Sequence, residues 1–281
     1  MKKRLPRHAV QLAFTALSNG YVKGFLGEGL YKGELKRLCL PGLNCHACPG
    51  ALGACPIGAL QAVISSRSFD VSFYVLGFLL IVGALAGRLV CGFLCPFGLV
   101  QDLLHRIPGK KIKRPPYYLD ILRYLVLFVP VLLLPAVAVN FIGQGEPWFC
   151  KWLCPSGTLM GGIPQLMINP GVLDAAGGIF VLKLGILLFI LVLSIFVYRP
   201  FCRFLCPLGA IYGLFNRVSL YRYRLDASKC TGCKRCEAAC KMNLRPTVQP
   251  NDSRCIRCGV CLSVCPEGAL KVGSRSFHKP V

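Results

Sequence analysis

Hydrophobic residues in this chain fall into four long runs rather than the alternating or one-sided patterns of soluble strands and helices. The first, residues 9 to about 26, is only moderately apolar and is broken by Gln11, Asn19 and Lys23. It follows the basic start MKKRLPRH, and AFTALSNGYVKG offers no small-residue cleavage site, so it reads as an uncleaved span with its basic end inside. Residues 69–90 are long enough for a hydrocarbon core of about 30 Å and run straight into CGFLCPFG. Residues 117–139 carry Arg123 near one end and prolines 130 and 135 inside, which predicts a kinked helix. Residues 178–198 form the last run; Lys183 near its outer end is expected to snorkel.

The segments between the runs set the orientation. Residues 38–61, LCLPGLNCHACPGALGACPIGALQ, are too rich in glycine and proline for a span and read as a structured loop. Residues 99–107 read as a short amphipathic helix, followed by GKKIKRPP, a basic marker of the cytoplasmic face. In the loop 140–177, Lys151 is the only basic residue, against Glu146 and Asp174, which places that loop outside; Arg199, Arg203, Arg217, Arg222 and Arg224 mark the return. The predicted topology is four spans, with both termini inside and the 38–61 and 140–177 loops outside. Lys32, Lys36, Arg37 and Arg67 run against that rule for the first loop.

Composition agrees with this class: 54% of the 281 residues are hydrophobic, too many for an ordinary soluble domain. The net charge of +22 is explained by basic residues flanking apolar runs, and no nucleic-acid motif accompanies them, so lipid rather than nucleic acid is the expected partner. Eighteen cysteines in such a chain do not resemble a secreted disulfide framework.

Two cysteine runs close the sequence: Cys230, Cys233, Cys236, Cys240, and Cys255, Cys258, Cys261, Cys265 with Pro266. C-x2-C-x2-C-x3-C used twice is the spacing by which bacterial-type ferredoxins hold two [4Fe-4S] clusters. A tight loop reaches three corners of a cubane and the fourth ligand must come from elsewhere. This predicts one cluster on Cys230, Cys233, Cys236 and Cys265, and another on Cys255, Cys258, Cys261 and Cys240. Zinc sites favour isolated C-x2-C pairs and fit two interlocked quartets poorly. Cys240 is followed by Lys241 instead of proline, which removes no ligand.

CP-x-G recurs five times, as CPIG, CPFG, CPSG, CPLG and CPEG, and three of the copies outside the ferredoxin runs extend to C-x3-C-P. The expected device is a span ending in two cysteines at i and i+4 on one helical face, with proline opening the next helix where a missing N–H costs little. Each pair is half a cubane site. Cys91, Cys95, Cys202 and Cys206 end spans that emerge on the same side, so they are predicted to share a third cluster there. A fourth would join Cys48 and Cys55 to Cys150 and Cys154, with Cys39 and Cys45 as alternative ligands. Most of a ~30 Å core would separate the last two sites, so electrons between them need another carrier or clusters displaced inward.

Through Cys91/Cys95, Cys202/Cys206 and the eight ferredoxin cysteines the chain resembles the polytopic iron-sulfur proteins of periplasmic nitrate reductase and nitrous oxide reductase systems (NapH/NosR type). More distantly it resembles the ferredoxin-bearing proteins of cytochrome oxidase maturation. It departs from the usual pattern in its Cys45/Cys48/Cys55 group and its Cys150/Cys154 pair. The resemblance implies membrane electron transfer, often linked to quinol, with quinone a candidate cofactor.

The expected fold is therefore mainly α: a polytopic membrane bundle over residues 1–220 and a small α+β ferredoxin domain over 221–281. The expected function is a multi-pass inner-membrane protein that relays electrons through four [4Fe-4S] clusters, between a cytoplasmic partner and the quinone pool or an outer-face acceptor. A redox sensor or an assembly factor would use the same cysteines, and a structural zinc scaffold is the third alternative. No catalytic constellation, Rossmann fingerprint or P-loop is present. His8, His105 and His278 stand alone, whereas His46 between Cys45 and Cys48 reads as a loop spacer, with a ligand or hydrogen-bond donor as the alternative.

Overall fold

A computed structural model describes residues 7–27, 29–66, 73–112, 116–140, 144–169 and 171–273, without the side chains of Tyr117 and residues 172–176. The start of the second predicted span (69–72), Arg67, part of the basic loop (113–115), the Asp174 side chain and His278 lie outside the described residues.

The chain is mainly helical. In order come α1 (Arg7–Ser18), α2 (Pro56–Ser65), α3 (Phe73–Ala86), α4 (Leu89–Phe93) and α5 (Pro96–Leu104). They are followed by α6 (Tyr118–Val137), α7 (155–168), α8 (Gly177–Phe196) and α9 (Pro207–Phe215). Two of these, α6 and α8, are long and apolar enough to cross a membrane. α1 has 12 residues, about 18 Å of helix, so the expected span over residues 9–26 is not formed; the chain turns away at Asn19 into a glycine-rich loop. α3 has 14 described residues, about 21 Å. Large apolar side chains point outward on α1, α3, α6 and α8, among them Leu17, Phe73, Ile81, Phe128, Val181 and Phe189, the surface that lipid requires.

α6 bends for the reason its sequence predicts. Pro130 and Pro135 remove two helical donors, and the chain widens to a π turn over Leu127–Leu133. In a π turn the Pro130 carbonyl would accept from residue 135, a proline without an N–H. The buried Gln61 side chain on α2 donates to that carbonyl instead, at 2.8 Å.

The C-terminal module is a two-stranded antiparallel sheet, β1 (Arg222–Leu225) with β2 (Leu270–Gly273), and two one-turn helices, α10 (Arg235–Ala238) and α11 (Val260–Ser263). Its two cysteine runs repeat each other in backbone conformation. Left-handed residues fall at Gly232 and Lys234 in the first run, and at Arg257 and Gly259 in the second. A third equivalent pair, Asn243 and Gly268, lies three residues after the last cysteine of each run. Non-glycine residues hold this strained region at Lys234, Asn243 and Arg257, so the loops are shaped around what their thiols bind.

Candidate iron-sulfur sites

Four of the five CP-x-G segments build the same local structure. Cys55, Cys95, Cys154 and Cys206 are extended N-cap residues, each followed by proline at the first helical position. Proline drives the preceding residue out of the α region, so the second cysteine of each C-x3-C pair leaves the helix that carries the first. The expected shared helical face is not formed: one thiol ends a helix and the other caps the next. The glycine N–H three residues on points back at the capping sulfur, from Gly157 to Cys154 and from Gly209 to Cys206, each at 3.3 Å. A helix N-terminus favours a thiolate there. The fifth copy, at Cys265, makes a left-handed turn at Gly268 and starts no helix.

Cys91, Cys95, Cys202 and Cys206 are all buried, and their sulfurs lie within electrostatic reach of one another. The two pairs are bound by reciprocal contacts that the sequence reading missed. Arg88, three residues before Cys91, donates to the Cys202 carbonyl at 2.6 Å. Arg199, three residues before Cys202, donates to the Cys91 carbonyl and pairs with the buried Asp102. The CP-x-G glycines let these guanidiniums pass: a Cβ at Gly98 would lie 3.2 Å from the Arg199 guanidinium, and one at Gly209 would lie 3.0 Å from Arg88. The signal was present as R-x2-C-x3-C-P-x-G, written twice. Gln101 completes the site, donating to the Cys202 sulfur at 3.1 Å and accepting from the Phe201 N–H at 3.2 Å.

A second bundle site is a cavity of about 430 Å³ whose lining includes Cys45, Cys55, Cys150 and Cys154. Cys45, named above as an alternative ligand, lines the cavity, and Cys48 is not among the lining residues. The glycine contacts are again reciprocal: a Cβ at Gly157 would lie 3.7 Å from the Cys45 sulfur, and one at Gly58 would lie 3.9 Å from the Cys150 sulfur. Gln61, which holds Pro130, also accepts from the Cys150 N–H at 3.3 Å. Lys183 does not snorkel; it turns inward, lines the cavity and donates to the Cys150 carbonyl at 3.1 Å. His46 shares the lining. Lys183 lies six residues, about 9 Å, along α8 from Gly177.

In the C-terminal module, one small pocket is lined by Cys240, Cys255, Cys258 and Cys261, and a second by Cys230, Cys233, Cys236 and Cys265. Burial pushes the thiols of Cys255 and Cys261 up to about 12. The exposed Cys233 is lowered, chiefly by the Arg235 backbone N–H. The module is bolted to the bundle beside the Cys91 site. Arg88 donates to the Ser253 carbonyl at 3.0 Å, Asn216 to the carbonyls of Asp252 and Cys255 at 2.8 Å each, and Arg257 to those of Ala86 and Asn216. The Ile256 carbonyl, between two module cysteines, lies against Gly92, next to Cys91.

A family model described as a 4Fe-4S binding domain matches three times, over residues 71–115, 125–167 and 179–225, each match holding one C-x3-C-P pair. A second model with that description matches residues 248–271. The uncharacterized protein MJ0750 of Methanocaldococcus jannaschii is 30% identical, over 80% of this chain and 88% of that protein. The ferredoxin-type protein NapH of Haemophilus influenzae is 27% identical, over 97% of this chain and 90% of its own. The regulatory protein NosR of Stutzerimonas stutzeri is 26% identical, over 61% of this chain and 22% of its own length. No solved structure matches. Cysteine quartets on repeated C-x3-C-P units and a ferredoxin module define an iron-sulfur protein of the ferredoxin-type electron-transport class. Within it, the chain belongs to the NapH/NosR-type polyferredoxin family.

Proposed function

We propose that this protein is a multi-pass membrane electron relay carrying four [4Fe-4S] clusters. Their ligands would be Cys230/Cys233/Cys236/Cys265, Cys240/Cys255/Cys258/Cys261, Cys91/Cys95/Cys202/Cys206 and Cys45/Cys55/Cys150/Cys154. The observation that carries this reading is continuity: Cys55, Cys91, Cys95, Cys154, Cys202 and Cys206 share one buried core with Ile256 of the module, and Cys240, Cys255 and Cys258 pack against it. The donor sets fit, since each site gathers four thiols.

When bound, the clusters supply one-electron storage at each quartet. The chain's own part is to hold them dry and in sequence. Arg88 and Arg199 join the two halves of the Cys91 site and set cationic charge beside it, which favours its reduced state. Lys183 does the same at the Cys150 site. Ile256 on Gly92 brings the module's second site against the Cys91 site. The first site faces solvent at Cys233 amid Lys229, Lys234 and Arg235, a basic rim suited to an acidic redox partner. The module would lie on the cytoplasmic side and exchange electrons with that partner. The other end of the chain of sites would meet the quinone pool or an outer-face acceptor.

Anaerobically purified protein should contain about 16 iron atoms per chain, four per quartet, and pass many electrons per molecule between a soluble donor and a quinone analogue. Iron content without turnover would point to the sensor or assembly reading, and zinc in place of iron would defeat both.

A further inference from the structure

Tyr212, on α9, is fully buried and its hydroxyl has no hydrogen-bond partner. Native interiors rarely leave such a group alone. The side chain stands where two proposed cluster sites approach each other. Its helix is capped by Cys206 and packs on α2, which is capped by Cys55. Tyr212 shares one buried core with Cys91 and Cys206 of the first bundle site, Cys55 of the second, and Cys39. No protein atom, thiol sulfur included, accepts from it, which leaves the hydroxyl for a group held among the surrounding cysteines. A phenylalanine would fill the same volume without burying an unmet donor, so the hydroxyl calls for an acceptor.

We propose that Tyr212 is a positioning residue between the two bundle clusters: its hydroxyl donates a hydrogen bond to sulfur of the cluster on Cys91, Cys95, Cys202 and Cys206, and its ring fills the path toward the cluster on Cys45, Cys55, Cys150 and Cys154. This rests on the functional reading above. With clusters held at both sites, transfer between them would be a one-electron exchange, one site oxidised as the other is reduced. Tyr212 stays closed-shell and keeps its proton, so no further reactant is needed. A hydrogen bond to cluster sulfur stabilises the more negative, reduced state and therefore raises the potential.

The test uses the full-length protein, purified anaerobically into lipid nanodiscs, with each cluster's midpoint read by electron paramagnetic resonance during a redox titration. Tyr212→Phe should keep the iron and sulfide content and lower one bundle midpoint, changing the reduced-to-oxidised ratio at fixed potential about tenfold, which is 59 mV for one electron. Tyr212→Leu, which also removes the ring, should slow electron arrival at the Cys150 cluster about tenfold after photoreduction of the module. If Tyr212→Leu loses iron, the Tyr212→Phe titration decides alone. Tyr223→Phe, whose partnerless hydroxyl faces Cys255, Cys258 and Cys261, should move a module midpoint instead. Unchanged midpoints in Tyr212→Phe, with all four clusters present, overturn this inference alone. A wild-type protein lacking either bundle cluster overturns it together with the reading on which it rests.

Discussion

Gly92 ligates nothing, yet replacing it by alanine should uncouple the ferredoxin module from the bundle. A Cβ built there lies 2.3 Å from the Ile256 carbonyl oxygen and 3.5 Å from its carbon. Relieving that overlap needs a movement of roughly 1 Å. The Ile256 carbonyl is ill placed to swing away, because it sits between Cys255 and Cys258 beside Arg257, whose left-handed φ of 53° is already strained. Overpacking of this kind costs about 1–3 kcal/mol. If the module slides instead, the Arg88 bond to Ser253 and the two Asn216 bonds stretch, at about 0.5–1.5 kcal/mol each. Between them the two routes give a loss of roughly 1–4 kcal/mol in docking. Gly77→Ala is the control, since nothing lies within 4 Å of a Cβ there. Gly92→Ala should keep its iron, become sensitive to proteolysis between residues 215 and 222, and transfer electrons from module to bundle more slowly. Gly77→Ala should match wild type. Wild-type protease resistance and transfer rate in Gly92→Ala would refute the claim that this contact sets the approach of the two sites.

Three further outcomes follow from the same geometry. Cys95→Ser and Cys206→Ser should each remove the same cluster signal, about four irons, while both module signals survive; loss of two different signals would show that the pairs do not share a site. Cys45→Ser should remove the cluster at the Cys150 site and Cys48→Ser should not, as read by iron content and paramagnetic resonance. In demetallated protein at pH 8, iodoacetamide should label Cys233 first, since its lowered pKa leaves more thiolate. Cys255 and Cys261, pushed to about 12, are protonated there and should react last, catching up only as pH rises; equal rates across pH 7–10, followed by mass spectrometry, would contradict that ordering.

Local chemistry was legible in the sequence wherever short spacing dictates geometry. C-x2-C-x2-C-x3-C fixes a tight loop around a small group, so the two module quartets can be proposed from spacing alone; each of two small pockets is lined by one of them. Proline after cysteine determines that the cysteine is extended and that a helix starts at once, which settled the form of four CP-x-G units. Prolines 130 and 135 determined that α6 could not run straight. What only the tertiary structure decided depends on residues far apart in the chain. Spacing alone does not choose between Cys45 and Cys48; the contact of their loop with α7, at Gly157 and Gly161, sets Cys45 beside the Cys150 site. Hydropathy read residues 9–26 as a span, because a sliding window counts apolar side chains and cannot see that the chain bends back at Asn19. Lys183 read as a snorkelling residue because its partner, the Cys150 carbonyl, is 33 positions away. Arg199 likewise looked like a topology marker, and Arg88 drew no reading at all. Their role as reciprocal clamps arises only when two repeats meet face to face, since charge patterning reports which side of a membrane a residue favours and not which carbonyl it will find.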